Sequence, residues 1–478
     1  MELIGRQREI DFFNRVYLSK KAEFIAVYGR RRVGKTYMIR QLYQDKWCFS
    51  HTGLSPMEKE KNGASLLDIQ LQNFASSLRQ YGSDIDKTPS NWLEAFDELI
   101  ELLKRHRKKK RCVVFIDELP WLDTERSSFM MAFEHFWNGW ASAQPNIMLI
   151  TCGSSTSWME DKLINNKGGL YGRVTGEVHL APFTLSECEQ YYRYRGINMP
   201  RYDQLQCYMI FGGIPYYMDR LQSGKSLAEN VDAAFFEKRA PLRGEFERLF
   251  ASLFTNMSDY VKVVRLLATR REGFSRSDIA LHTGIPYGGG LTKILKSLIA
   301  SDFIVDYIHY QGSSRDRRYR LVDNFCLFFT KFVDGVSSMS SSFWRDNQLS
   351  PKLNAWRGFA FESVCFGHVD KIKAALGIAG VHTVVTPWHS KMLDDGTQVD
   401  MVLDRDDRIV NICEIKYSST QYVITKMYDR KLQEKVQAFL QETGTKKTAV
   451  LTMISTYGLK TNEYSGHIQR SLTMDCLF

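Results

Sequence analysis

The chain has 478 residues, too many for a single hydrophobic core and enough for roughly three domains. Hydrophobic residues make up 44% and charged residues 25%, the balance of an ordinary globular protein, and no apolar run approaches the roughly 20 residues of a bilayer-spanning helix. Net charge is +10, and the segment 262–322 alone carries eleven Lys and Arg against five Asp and Glu, an excess that points to an anionic partner or, more simply, to a solvated basic face.

The first residues, MELIGRQREIDFF, carry charges where a signal peptide needs an apolar stretch, so the sequence predicts a cytoplasmic chain. Nine cysteines, none closer together than 19 positions, argue against a disulfide framework and a C-x-x-C site. The histidines are scattered, so a metal would be held by oxygen.

In FIAVYGRRRVGKTYMIRQLY, the apolar run Phe24–Tyr28 predicts a buried strand, and Gly29–Thr36 fits G-x-x-x-x-G-K-T before a helical stretch. This strand, loop and helix are the order a phosphate-binding loop requires. Gly29 and Gly34 let backbone N–H groups turn toward phosphate oxygens, and the helix N-terminus adds positive potential. Lys35 is expected to reach the terminal phosphates and Thr36 to ligate Mg²⁺.

Farther on, RCVVFIDELPWL predicts a second buried strand ending in Asp117, for the magnesium shell, and Glu118, for the attacking water. The run Lys104–Arg111 reads as the solvated end of an amphipathic helix over Trp92–Lys104. A third strand, NIMLITCGSS, brings Ser154 or Ser155 beside the γ-phosphate if it neighbours the other two.

From about residue 255 the pattern changes. DYVKVVRLLATR has helical spacing, SRSDIALHTGI is a short helix with Ser275 as N-cap, and PYGGGLTKILKSLIASDFI gives a turn and a third helix. VDYIHYQGSSRDRRYRLVD then alternates like a hairpin. Three helices and a hairpin make a winged helix-turn-helix, whose third helix and wing would present Lys293, Lys296, Arg315, Arg317 and Arg318 to DNA phosphates, with RNA the lesser alternative. A packing role without nucleic acid is the alternative.

After a Ser-rich linker, VSSMSSSFW, the helix AWRGFAFESVCFGHV carries Glu362 among apolar residues. GTQVDMVLDRDDRIVNICEIKYS predicts a hairpin, and a turn centred on Asp407 sets Asp400 opposite Glu414, with Lys416 on the same face as Glu414. Asp400, Glu414 and Lys416 thus form a D…E-x-K constellation. Two carboxylates would hold Mg²⁺, Lys416 would position or deprotonate a water, Glu362 would be an outer ligand and the Ile415 carbonyl a further one. The alternative is a hairpin with a cross-strand ion pair.

The front of the chain resembles the AAA+/STAND-like group of prokaryotic P-loop ATPases. The resemblance rests on the two motifs above, on LIGRQREI as the box beside the adenine, on LYGRVTGEVHLAPFTLSE closing the core, and on FGGIPYYM as a G-G-x-P lid element. It implies ATP as the nucleotide and Arg173 as a γ-phosphate sensor or arginine finger; a finger acting in trans would imply a homo-oligomer. The tail from Trp356 to about Val450 resembles PD-(D/E)xK nuclease-like domains fused to such ATPases, except that Gln398 stands two before the Asp, where an acidic residue often occurs.

The expected fold class is therefore α/β: a P-loop NTPase αβα sandwich (1–180) with a helical lid (181–254), a winged helix-turn-helix (255–335) and a restriction-endonuclease-like domain (350–478). The expected function is ATP hydrolysis that regulates DNA binding and Mg²⁺-dependent cleavage. The rival is a non-cleaving ATPase switch or DNA-binding regulator with a degenerate tail. A translocating motor is disfavoured, because the additional helicase motifs are missing from the sequence.

Overall fold

A computed structural model describes residues 3–55, 65–254, 256–335, 340–390 and 397–478, and divides into two compact units, 1–182 and 183–478. The first four residues of the Ser-rich linker, 336–339, and residues 391–396 before the tail hairpin lie outside the described residues.

Unit 1 is built on a five-stranded sheet of β1 (Glu23–Tyr28), β2 (Trp47–Thr52), β3 (Cys112–Asp117), β4 (Ile147–Gly153) and β5 (Gly176–His179), in the order β2-β3-β4-β1-β5. Every pairing is parallel. The continuous apolar runs of β1, β3 and β4 follow from this, since a parallel sheet covered on both faces hides both sides of its central strands. The helices Leu66–Gln80, Trp92–Lys104 and Phe129–Gly139 supply Phe74, Trp92, Phe96, Phe129 and Phe133 to a core shared with Phe24 and Val114.

The expected helix over Trp92–Lys104 forms with those bounds, capped by the Asn91 side chain, and Lys108–Lys110 beyond it are exposed. Arg111 departs from the solvated reading of this run. It is buried, and its guanidinium donates to the carbonyls of Lys21 (2.8 Å), Pro145 (3.1 Å) and Val16 (3.1 Å).

Unit 2 opens with the helices Leu185–Tyr194 and Arg201–Phe211. Gly212 and Gly213 both adopt left-handed φ, and a Cβ at Gly213 would meet the Phe183 carbonyl oxygen at 2.3 Å, which is why glycine stands there.

Next come helix Met257–Leu267, β6 (Phe274–Ser275), helices Arg276–Thr283 and Gly289–Ala300, β7 (Ile304–Tyr307) and β8 (Arg318–Leu321). Ser275 caps its helix in a reciprocal box with Asp278. The short β6 completes a three-stranded sheet, β6-β8-β7, that the hairpin pattern did not disclose.

The described part of the Ser-rich segment is anchored rather than free. The backbone N–H of Trp344 donates to Asp232 (2.7 Å), and its buried indole packs on Phe328, Phe332 and Trp356.

Helix Pro351–Gly367 then leads into a second five-stranded sheet: β9 (Thr383–His389), β10 (Gln398–Arg405), β11 (Ile409–Lys416), β12 (Thr448–Ser455) and β13 (Arg470–Thr473), ordered β13-β12-β11-β10-β9. The pairings β9–β10 and β10–β11 are antiparallel; β11–β12 and β12–β13 are parallel. Helix Lys426–Thr443 covers one face through Leu432 and Phe439. Among the described residues no helix is long and apolar enough to cross a membrane.

Candidate functional site

The loop Gly29–Thr36 joins β1 to the helix Lys35–Tyr43. Gly29 (φ 132°) packs so closely against β5's continuation that a Cβ would lie 2.5 Å from the Leu180 carbonyl oxygen, and Gly34 (φ 96°) turns the chain into the helix. Lys35 is buried inside the loop, its ammonium donating to the carbonyls of Gly29 (2.8 Å) and Arg30 (3.0 Å). Burial pulls its pKa below the ordinary lysine value, against the opposing pull of the nearby Glu118 and Asp117 carboxylates.

Because β4 lies between β1 and β3, the ends of all three strands meet. The Thr36 hydroxyl donates to Asp117 Oδ2 (2.8 Å), and Asp117 Oδ1 accepts the Glu118 N–H (3.0 Å). Glu118 sits at left-handed φ (49°), a conformation costly for a non-glycine residue, and accepts from the Ser154 N–H (3.2 Å) and hydroxyl (2.9 Å). Burial raises the Glu118 pKa, with Lys35 acting in the opposite sense. Lys35, Thr36, Asp117, Glu118 and Ser154 are thus gathered at the C-terminal ends of the central strands β1, β3 and β4. Arg173 is exposed in the turn before β5, and among the described residues no hydrogen bond links it to the loop.

In the tail, the pair Met401↔Cys413 and those after it obey the register that sets Asp400 opposite Glu414. The β9–β10 pairing shifts between Val399 and Val402, so an irregularity falls at Asp400 and re-aims it. Asp400 Oδ2 accepts the Ile415 N–H (2.9 Å), while Oδ1 accepts from Arg271 (2.7 Å).

Arg271 also contacts Glu362, so one guanidinium serves two carboxylates that are each only about a twentieth exposed. Glu414 is bound separately. It accepts from Lys416 (2.7 Å), Tyr428 (2.8 Å) and Lys435 (2.8 Å). Burial would raise the Glu414 pKa, but Lys416 and Lys435 outweigh it and hold the value below the carboxylate norm. Lys416 is held above the lysine norm, Glu414 and Asp400 overcoming its burial.

Among the described residues no three His, Cys, Asp or Glu side chains are grouped as metal ligands; Asp400, Glu362 and Glu414 face cations instead. Arg271, Tyr428 and Lys435 went unnoticed in the sequence, having no motif to mark them. Of the basic residues expected at nucleic acid, Lys293, Lys296 and Arg315 are exposed, Arg317 is paired with Asp306, and Arg318 is half-buried near the Gly273 carbonyl (3.5 Å).

The parallel sheet, with its phosphate-binding loop and acidic strand end, gives unit 1 an α/β fold that matches a P-loop ATPase. Residues 3–221 match the family model described as an ATPase domain predominantly from Archaea. The chain is 23% identical over 426 residues to an uncharacterized protein of Methanocaldococcus jannaschii, covering 87% of each. A short stretch of 43 residues, 9% of this chain and 73% of the other, is 42% identical to an uncharacterized ATP-binding protein of the same organism. Among solved structures, a Walker-type ATPase of Pyrococcus abyssi is similar with a TM-score of 0.48 and 18% identity over 69% of this chain and 96% of that one. The Aeropyrum pernix ORC2 protein in ADPNP–ADP complexes has a TM-score of 0.41 and 15% identity over 73% and 96%.

Proposed function

We infer that the protein binds and hydrolyses ATP at the C-terminal ends of β1, β3 and β4, and that nucleotide state governs its contact with DNA. The observation that carries the first part is that Lys35, bonded to the loop carbonyls, shares these strand ends with the hydrogen-bonded pairs Thr36–Asp117 and Glu118–Ser154. Thr36 and Asp117 have the oxygen donors Mg²⁺ takes, and the nucleotide, when bound, supplies the phosphoryl group. Lys35 would leave the Gly29 and Arg30 carbonyls for phosphate oxygens. Glu118 would orient the attacking water, which requires a looser hold by Ser154.

For DNA, the support is the helix–strand–helix–helix–strand–strand order of 257–321, which suits a winged helix, together with exposed Lys293, Lys296 and Arg315. Purified protein with duplex DNA, titrated by salt with ATP, ADP or no nucleotide, tests it. Affinity that ignores both nucleotide and salt sinks the DNA part. Phosphate release that is unchanged in Lys35→Ala sinks the ATPase part.

A second reading, Mg²⁺-dependent cleavage by the tail, is favoured by the register that brings Asp400 across from Glu414. With Arg271 engaged by Asp400 and Glu362, cleavage would first require that guanidinium to withdraw. Supercoiled plasmid with Mg²⁺ or Mn²⁺, with and without ATP, beside Lys416→Ala and Arg271→Ala, separates the readings. Nicking by wild type or Arg271→Ala, lost in Lys416→Ala, favours the nuclease; intact plasmid in every lane favours the non-cleaving regulator.

A further inference from the structure

A cavity of about 400 Å³ opens in unit 2 among helix Arg201–Phe211, β7, β8, the end of helix Pro351–Gly367 and β9. That volume suits a small organic molecule. Val322, Val364, Val369, Val385 and Pro387 give it an apolar wall, and Tyr208, Tyr307 and Phe366 add rings.

Arg320 of β8 also lines it, and is 7% exposed. No carboxylate lies within ion-pair reach of its guanidinium among the described residues, and its buried Nε has no acceptor. The side chain lies over the Phe366 ring at 4.4 Å and the Tyr307 ring at 5.8 Å. Such ring contacts offset only part of the cost of an uncompensated buried charge. Burial accordingly lowers the Arg320 pKa to about 10, and the neighbouring Arg271 adds repulsion.

A second lining residue is left short in the complementary sense. Asn324 is 8% exposed, and its side-chain oxygen is buried without a donor. Three other polar side chains of the wall are committed. His368 bonds the Val364 carbonyl (2.9 Å) and the Leu185 N–H (3.2 Å), the Tyr307 hydroxyl donates to the Glu272 carbonyl (2.6 Å), and Asp306 holds Arg317. One cation lacking an anion and one acceptor lacking a donor therefore share a single cavity.

We propose that this cavity is a binding site for a small organic oxyanion that also carries an O–H or N–H donor, with Arg320 taking the oxyanion and Asn324 the donor. The apolar and aromatic wall takes the ligand's body. The site is separate from the nucleotide loop, and the proposal rests on neither the ATPase nor the nuclease reading.

Calorimetric titration of the full chain with 4-hydroxybenzoate and with 4-hydroxyphenyl phosphate tests it, the two probes distinguishing a carboxylate from a phosphate head. Saturable binding of at least one is expected. It should fall at least tenfold in Asn324→Leu, vanish in Arg320→Met, and survive in Lys35→Ala, whose nucleotide loop is disabled. Thermal unfolding of ligand-free Arg320→Met provides an independent readout. Removing an unpaired buried cation should leave the melting temperature unchanged or raise it, whereas a purely structural Arg320 would make the variant less stable. Absence of saturation by both probes up to about 10 mM, or binding that persists in Arg320→Met, overturns the proposal.

Discussion

Replacing Arg271 by alanine removes the cation shared by Glu362 and Asp400, both nearly inaccessible to water. Asp400 keeps the Ile415 N–H, but Glu362 loses its only ion-pair partner among the described residues. Stripping one member from a buried pair costs about 3–5 kcal/mol, because the survivor is left charged and dry. The Arg271 side chain is 34% exposed, so water can enter part of the gap, and about 2–3 kcal/mol is the expected loss. For a unit spanning residues 183–478 that corresponds to a fall of about 3–5 °C in unfolding temperature.

Urea and thermal unfolding of Arg271→Ala measure it, and adding Glu362→Gln should recover part of the loss by removing the orphaned charge. Mn²⁺ or Mg²⁺ should stabilise Arg271→Ala more than the parent, since an ion can then approach the two carboxylates. A variant as stable as the parent and indifferent to divalent ions would refute the assignment of Arg271 as the counter-ion of this site.

Lys35→Ala should lower ATP turnover by at least about 100-fold, read as phosphate release, because a positioned cation at the transferring phosphoryl group is lost. Glu118→Gln should retain nucleotide binding by calorimetry while turnover collapses; equal loss of both would show that Glu118 acts in folding. Gly29→Ala should yield little folded unit 1 by near-ultraviolet circular dichroism, since its Cβ meets the Leu180 carbonyl at 2.5 Å.

Glu414 sets a pH dependence. Its folded pKa is depressed, so its stabilising contribution is present above the unfolded value near 4.5 and is lost as pH falls through the lower folded value. Acid unfolding should therefore be less steep below about pH 4.5 in Glu414→Gln, and an unchanged profile would remove Glu414 from the acid-sensitive set.

The two sites differ in how far they can be read before folding. The nucleotide loop is local: eight consecutive positions, a strand before and a helix after, carry its chemistry, and Lys35 and Thr36 stand where that grammar puts them. The register of β10 against β11 was also accessible, because a hairpin register follows from its turn by counting. The counter-ions were not. Arg271 lies 129 positions from Asp400, and Lys435, on a later helix, lies 21 positions beyond Glu414, so no periodicity links them. Arg111 shows the same limit in reverse. It ends a run of exposed cations, yet tertiary carbonyls draw it inside.

The strand order of unit 1 also sets a timetable for synthesis. β1 is the first strand made, but its partners are β4 and β5, and the loop's Gly29 rests on Leu180. The nucleotide pocket therefore cannot close when its own motif emerges from the ribosome. At about 5–20 residues per second, the roughly 150 residues between Tyr28 and His179 take about 8–30 s. Until β4 is made the apolar β1 has neither of its neighbours, and a nascent chain halted before β5 should carry the complete loop motif without a finished nucleotide site.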